Sequence, residues 1–298
     1  MAPRIGTFVG LLVVSCCLMA ATAPGQSKRS KSDANIAAIG HRNIAQGLNF
    51  YSPEREKELG NELAQQVAAS ARFINDPAIT SYVEGVERNV ERNSDKHPPI
   101  TIHLIDTGKS ETFTLPGGHE YLSRGLLLRL ENEGELASVL ARGIAQTALR
   151  VGTRMATTAD ILQTASVPVV SPADGSPSAG SPPGVGPSPR LAELKARRDA
   201  EFDADYFAVQ YLYKSGYDTK CFLDLVTLTG DASANVPQPF SAYPPLTQRL
   251  QALQEEIAQI LPNRDGAIVS TNDFQEFRTR LQALKPESGA PQKTDNNN

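Results

Sequence analysis

Residues 134–150, GELASVLARGIAQTALR, constrain the fold of this chain more than any other stretch. Their apolar side chains recur three and four positions apart, at Leu136, Val139, Leu140, Ile144 and Leu149. This spacing is typical of one face of an α-helix. The stretch therefore predicts a buried central helix, which we expect to run past Arg150 toward residue 163.

The middle of this helix has the outline of the zinc-binding motif H-E-x-x-H. In that motif two histidines four residues apart hold the metal on one helix face, and the glutamate between them acts as a base. Here Arg142 and Gln146 stand at the histidine positions and Gly143 stands at the glutamate position. The pattern predicts a metallopeptidase shape that has lost its metal.

Length and charge limit the class of protein. A chain of 298 residues with 40% hydrophobic content can bury one good core, so we expect one domain, residues 46–286. The formal net charge of −4 and the lack of a basic cluster interleaved with aromatic residues argue against nucleic acid as a partner. Only Cys221 lies outside the N-terminal segment, which excludes a disulfide framework or a cysteine-rich metal site in the domain.

Residues 1–25 predict an export signal. Arg4 precedes an apolar run over residues 8–21, which is too short to span a membrane comfortably. Small residues at 21–23 suit ordinary cleavage, whereas residues 13–16 resemble a relaxed lipobox with Cys16 as the lipidated residue. An uncleaved anchor is the third alternative. We expect an exported protein, in the periplasm or anchored at the cell envelope, that meets the membrane only through this segment.

Three other segments have compositions that do not favour a packed core. Residues 26–45 are polar and predict a flexible tether. Residues 166–190 are almost all Ser, Pro, Gly, Ala or Val, which cannot bury enough surface to offset the entropy of ordering. They predict a disordered insertion within the domain. Residues 287–298 form a polar tail.

Local signals predict the remaining elements. Ser52-Pro53 and Asp76-Pro77 each combine a capping side chain with proline at the first helical position, and the first helix should end near Arg72. Further helices are expected over residues 124–130, 191–214, 244–261 and 272–284. Residues 101–105 and 112–115 alternate polar and apolar and predict a small antiparallel sheet, with another strand at 119–122. The fold class is therefore α+β and mainly helical.

Glu201 and Asp205 lie four residues apart on the helix after the insertion, so their carboxylates share one face. Such a pair is usually an ordinary exposed helix face. This one adjoins an aromatic stripe that includes Phe202 and Tyr206, and it follows the altered zinc motif in the chain.

These features together resemble metallopeptidase family forty-eight, the gluzincin family of the CAAX prenyl endopeptidases, HtpX and their secreted periplasmic relatives. The resemblance runs from Asn49 to Leu284. It is carried by NFYS at 49–52, FTLPGG at 113–118, RGLL at 124–127, EFDAD at 201–205 and YLYKSGYD at 211–218. It implies a zincin-like fold, zinc as cofactor and metalloendopeptidase activity.

By this resemblance, Arg142 and Gln146 replace the two histidine ligands and Gly143 replaces the base. Glu201 keeps the position of the third ligand, and Asp205 keeps that of the carboxylate that orients a ligand histidine. Later in the chain, Tyr243 stands where the family has the histidine of a His-Pro-Pro motif, and the arginine that follows is retained as Arg249.

The donor set argues against zinc. A catalytic zinc needs three protein ligands and a water molecule, and here one carboxylate remains beside a guanidinium that stays protonated. We therefore expect no cofactor. Without acidified water, and without a base worth roughly 10²–10⁴-fold in rate, no catalytic residue is intact. The four histidines, His41, His97, His103 and His119, show no pair at ligand spacing that would rebuild a site.

If Glu201 and Asp205 point inward, two buried anions without a partner would cost several kcal/mol each. We predict that Arg142 neutralises them through a salt bridge across the two helices, in place of the metal. The alternative is that Arg142 points to solvent through an open cleft.

The leading interpretation is an exported pseudopeptidase that binds an extended polypeptide by strand addition, a mode that needs no metal. The predicted groove includes Phe113, Leu115, Gly117, Gly118 and Arg249. The alternative is a zinc-dependent metalloendopeptidase, as the resemblance implies. A paralogue without a retained role is a third possibility, and the sequence does not determine the oligomeric state.

Overall fold

A computed structural model of the protein describes residues 32–95, 97–165, 189–230 and 241–284. The elements are α1 (Pro53–Ser70), α2 (Pro77–Glu91), β1 (Thr101–Ile105), β2 (Thr112–Leu115), β3 (His119–Ser123), α3 (Arg124–Arg129), α4 (Glu133–Ala148), α5 (Val151–Ala165), α6 (Pro189–Lys214), α7 (Lys220–Thr229), α8 (Leu246–Ile260) and α9 (Asn272–Ala283). The predicted export signal and polar tail lie outside the described residues, as do residues 166–188 of the predicted insertion.

Helix ends follow the capping signals. The Ser52 side chain accepts from the Arg55 amide at the start of α1, and Asp76 accepts from the amides of Ala78 and Ile79 at the start of α2. Gly216, with φ of +95°, follows the end of α6 as expected. Helix α7 was not predicted from the sequence.

Helix α4 lies at the centre of the core and packs against α2, α6 and α7. The prediction that it continues past Arg150 is wrong, because α4 ends at Ala148 and Arg150 adopts a left-handed conformation with φ of +54°. Arg150 Nε donates to Glu56 Oε2 at 2.5 Å and Nη2 donates to the Tyr51 carbonyl at 2.7 Å. These contacts with the start of α1 hold the chain where it turns from α4 into α5.

The three strands form one mixed sheet in the order β1-β3-β2. Strand β3 pairs antiparallel with β2 and parallel with β1. The α+β class is confirmed, while the expectation of a purely antiparallel sheet is wrong. The tight turn through Gly117 and Gly118, both at positive φ, reverses the chain between β2 and β3, and β1 joins the other edge of β3.

Part of the predicted tether belongs to the folded body. Ile39 and Ile44 are buried in the core, and Arg42 forms a buried ion pair with Asp95 at 2.5 Å and donates to Gln210 Oε1 at 2.7 Å. Residues 39–44 are therefore a fixed segment, contrary to the prediction for 26–45. Within the described ranges, no helix has the length and apolar character needed to cross a membrane.

Candidate active-site cleft

The altered motif on α4 faces the carboxylates of α6. Arg142 Nε donates to Asp205 Oδ1 at 3.2 Å, and Arg142 Nη2 is hydrogen-bonded to Glu201 Oε2. These are the two contacts expected from the charges in the sequence. One guanidinium thus joins α4 to both carboxylates of α6 across the position where the zinc motif would hold its metal.

A second arginine completes the cluster. Arg249 on α8 donates from Nε to Asp205 Oδ2 at 2.7 Å and from Nη2 to Asp205 Oδ1 at 2.8 Å, which is a bidentate pair. Asp205 is 1% exposed and Arg249 is 6% exposed, so both charges are removed from water. We call Arg142, Glu201, Asp205 and Arg249 the ion cluster.

The ion cluster balances its own charge, with two guanidinium groups opposite two carboxylates. Burial alone would raise the pKa of Asp205, but Arg249 and Arg142 outweigh it and hold that pKa below its ordinary value. Burial lowers the pKa of Arg142, but Glu201 and Asp205 raise it by more. The net pKa is therefore above the ordinary value, and the guanidinium stays charged. The cluster therefore links α4, α6 and α8 electrostatically, the role that a metal would have in joining two helices.

The ion cluster lies at a cleft of about 1050 Å³. Strand β2, the turn after it, α4 and the first half of α5 contribute to its walls, and Tyr243, 48% exposed, lies at one side. Of the predicted groove residues, Phe113, Leu115, Gly117 and Arg249 line this cleft. Gly118 does not, because it is buried against the Pro99 carbonyl, where a Cβ would approach within 2.4 Å.

The positions of the family base and second histidine also line the cleft, as Gly143 and Gln146. Neither contributes an imidazole or a carboxylate. The carboxyl group of Glu120 from β3, which sequence reasoning missed, lies against Gly143 and does not line the cleft. A glutamate in a strand, at a position that alternation places toward the core, was the signal that would have found it.

The residues present do not fit a zinc ion. Within the described ranges, no three His, Cys, Asp or Glu side chains are grouped closely enough to hold a metal. The one family ligand that remains, Glu201, is occupied by Arg142, whose guanidinium offers only donors. No step through a metal follows from this arrangement.

The histidines differ from expectation in one respect. His103 on β1 and His119 on β3 lie side by side, with 3.1 Å between His103 Nε2 and His119 Nδ1, although the sequence had shown no pair at ligand spacing. Burial lowers the pKa of both rings, so they favour the neutral form. Neither lines the cleft, and His119 also contacts Asn61. Two imidazoles do not supply the three ligands of a catalytic zinc.

Comparison with known proteins agrees with this geometry. The beta-barrel assembly-enhancing protease of Escherichia coli (strain K12) is 25% identical over 240 residues, which cover 77% of this chain and 49% of that protein. The same protease of Yersinia pestis is 25% identical over 251 residues, covering 78% and 49%. A putative form from Vibrio cholerae is 26% identical over 227 residues, covering 70% and 45%. The chain thus spans about half the length of these relatives.

The fold and the cleft agree with the resemblance found in the sequence. The match to a family model covers residues 74–257, which include the altered helix motif, both carboxylates of α6 and Arg249. That range is more than half of the chain, and the chain belongs to peptidase family M48.

Proposed function

We propose that this protein is a peptidase-family protein that does not hydrolyse peptides and that binds an extended polypeptide in its cleft. The single observation that carries the proposal is the ion cluster. It places Arg142 against Glu201 and Asp205, where a peptidase needs free metal ligands. A cleft of about 1050 Å³ lies beside the cluster and could hold a polypeptide segment.

The edge of the sheet supports binding of an extended chain. Strand β2 lies at one end of the sheet order and lines the cleft. The Ser123 amide donates to the Glu111 carbonyl at 3.1 Å, which makes Glu111 and Ser123 a hydrogen-bonded pair at the start of the β2-β3 ladder. Since such pairs alternate along antiparallel strands, the main-chain groups of Thr112 and Thr114 point away from β3. They are available to an added strand.

The occupant we propose is a strand-forming polypeptide in an unfolded state. The relatives are named for enhancing β-barrel assembly, and a chain that has yet to fold into strands fits an open sheet edge. Recognition through the main chain requires no particular side chain and no cofactor.

The test for binding uses fluorescein-labelled, reduced and carboxymethylated α-lactalbumin as an unfolded probe, followed by fluorescence anisotropy. Thr114→Pro removes one outward N–H without touching the β2-β3 ladder and should weaken binding about tenfold. The matched control Thr114→Val keeps the N–H and the branched shape and should bind within about twofold of the wild type. Equal affinity in all three proteins would contradict the edge-strand mode.

The alternative function is that of a zinc-dependent metalloendopeptidase, which family membership and the names of the relatives favour. Zinc content and casein hydrolysis of the purified protein, with and without added zinc, separate the two proposals. We expect no stoichiometric zinc and no chelator-sensitive cleavage. As a positive control, Arg142→His with Gln146→His supplies two imidazoles beside Glu201 and should bind about one zinc per chain. Stoichiometric zinc in the wild type with chelator-sensitive cleavage would establish the alternative.

We further propose export, with the protein in the periplasm or anchored at the cell envelope. The apolar run at residues 8–21 and the names of the relatives support it. Expression in a bacterial host with Cys16→Ser, followed by fractionation, distinguishes the routes. Release from the membrane fraction by this substitution indicates lipidation. A wild-type protein that is already in the soluble periplasmic fraction indicates ordinary cleavage. Recovery of the wild type in the cytoplasm contradicts export.

A further inference from the structure

Glu120 is a buried acid with no partner. It lies in β3, the central strand of the sheet, with 0% of its surface exposed, and neither carboxyl oxygen has a hydrogen-bond partner in the part of the chain that the structure describes. An unpaired buried polar group is destabilising, and an ionised one is more so. A carboxyl group in this position therefore requires an explanation in what surrounds it.

Gly143 on α4 lies directly against this carboxyl group. A Cβ built on Gly143 would lie 2.2 Å from Glu120 Cδ and 2.3 Å from each carboxyl oxygen, far inside van der Waals contact. Glycine in a helix interior is less favourable than alanine, and Gly143 lies in the interior of α4. The close approach of Glu120 gives a reason for glycine here.

The groups around Glu120 favour its neutral form. Burial raises its pKa well above the ordinary value, Glu87 on α2 raises it further, and Arg142 on α4 opposes them only in part. Glu87 also has one buried oxygen without a partner, and burial, with help from Glu91, raises its pKa to about 7. Two acids outside the ion cluster thus lie in the core with raised pKa values.

We propose that Glu120 and Gly143 form an interdependent pair that replaces the glutamate of the zinc motif, with the Glu120 carboxyl group filling the space into which any side chain at position 143 projects. The base position is then closed by another residue and is not merely empty. Glu120 is a positioning residue here, since it touches α4 and not a substrate. Restoring all three motif residues would therefore not restore the base position, because Glu120 already fills the space of a glutamate side chain at position 143.

The test is a double-mutant cycle on thermal stability. In the wild type, Gly143→Ala should lower the Tm by about 3–10 °C, because the new Cβ would lie 2.2 Å from Glu120 Cδ and the fully buried Glu120 side chain would have to shift. In a Glu120→Val background the space is free, and the same change should raise the Tm by about 2–4 °C through helix propensity. Gly85→Ala on α2, where a Cβ meets nothing closer than 4.0 Å, is the matched control and should raise the Tm in both backgrounds.

The change of sign at position 143 is the expected result. A stabilising Gly143→Ala in the wild type, or an equal effect in both backgrounds, would overturn the proposal. Glu120→Ala provides a second shortened background, and failure of both shortened variants to fold would also overturn it, since Glu120 would then have a role unrelated to Gly143.

A second measurement starts from the restored motif, Arg142→His, Gly143→Glu and Gln146→His combined. This protein should lose at least about 5 °C in Tm with Glu120 present and regain it with Glu120→Val. No dependence on residue 120 would contradict the pairing.

Discussion

The two sides of helix α4 hold buried acids in opposite ways. Toward the cleft, Asp205 accepts three hydrogen bonds from the two guanidinium groups of the ion cluster, which hold its pKa below the ordinary value. Toward the sheet, neither oxygen of Glu120 has a hydrogen-bond partner among the described residues, and burial raises its pKa, which favours the neutral form. One carboxyl group is paired with cations, whereas the other lies in surroundings that favour its neutral form.

The difference follows from the residues that occupy the metal-ligand and base positions of the motif in this chain. A metal position lies between helices, and an arginine reaches across the same gap to carboxylates that would otherwise be unpaired. The base position lies against Glu120, and among the described residues the cation that acts on this acid is Arg142, which already faces Glu201 and Asp205. A neutral acid packed against glycine is the arrangement found there.

The largest effect is expected at Asp205. Asp205→Ala leaves two guanidinium groups facing each other without their shared carboxylate, and should cost about 3–5 kcal/mol of unfolding free energy. Urea denaturation measures it. Glu62→Ala, which removes an exposed pair with Arg55, is the control and should cost less than about 0.5 kcal/mol. A loss at Asp205 as small as the control would mean that the ion cluster does not stabilise the fold.

A smaller effect is expected at Arg142, because Asp205 keeps its bidentate partner Arg249 when Arg142 is removed. Arg142→Met should cost about 1–3 kcal/mol, chiefly by leaving Glu201 unpaired. Adding Glu201→Gln should return the stability to within about 1 kcal/mol of the wild type. Additive losses in the double variant, measured by the same urea titration, would rule out direct coupling between the two side chains.

The pH dependence of stability separates the two sides of α4. The pKa of Glu87 is raised to about 7 and that of Glu120 is raised as well, so the folded state binds protons more tightly than the unfolded state. Stability should fall as pH rises from about 4.5 through 7, by up to about 1.4 kcal/mol per pH unit for each acid. For Asp205 the pKa is lowered, so its contribution is present above 3.8 and is lost as pH falls through the lower folded value.

Glu87→Gln and Glu120→Gln should each flatten the decline between pH 5 and 8, whereas Glu62→Gln should not change it. Unfolding curves collected across this range measure the slope. An unchanged slope in both buried variants would indicate that these acids are ionised in the folded protein.

Much of the fold follows from short-range chemistry. Ser52 and Asp76 mark helix starts because their side chains accept hydrogen bonds from amides of the first turn. Gly216 marks a helix end because it adopts positive φ. The contacts of Arg142 with Glu201 and Asp205 were also predictable, because charges that face a common interior must be matched.

The remaining features depend on contacts between distant segments. The parallel pairing of β1 with β3 was missed because a hairpin is the simplest connection of neighbouring strands. Helix α7 was missed because a run such as LVTLT has no clear helical period. The pairing of Glu120 with Gly143 joins a strand to a helix, and neither residue type by itself predicts such a contact.

Because residues from Asp33 onward contact the folded body, the chain before Asp33 sets the maximum distance between a lipid anchor on Cys16 and that body. Arg42 fixes its segment to α6 through Gln210, and its Nη1 also donates to the carbonyl of Asp33. In a form anchored by a lipid on Cys16, only the 17 positions from there to Asp33 remain as a spacer. Fully extended, they reach about 60 Å at most. Such an anchor would restrict the protein to polypeptides that pass within one or two molecular diameters of the bilayer.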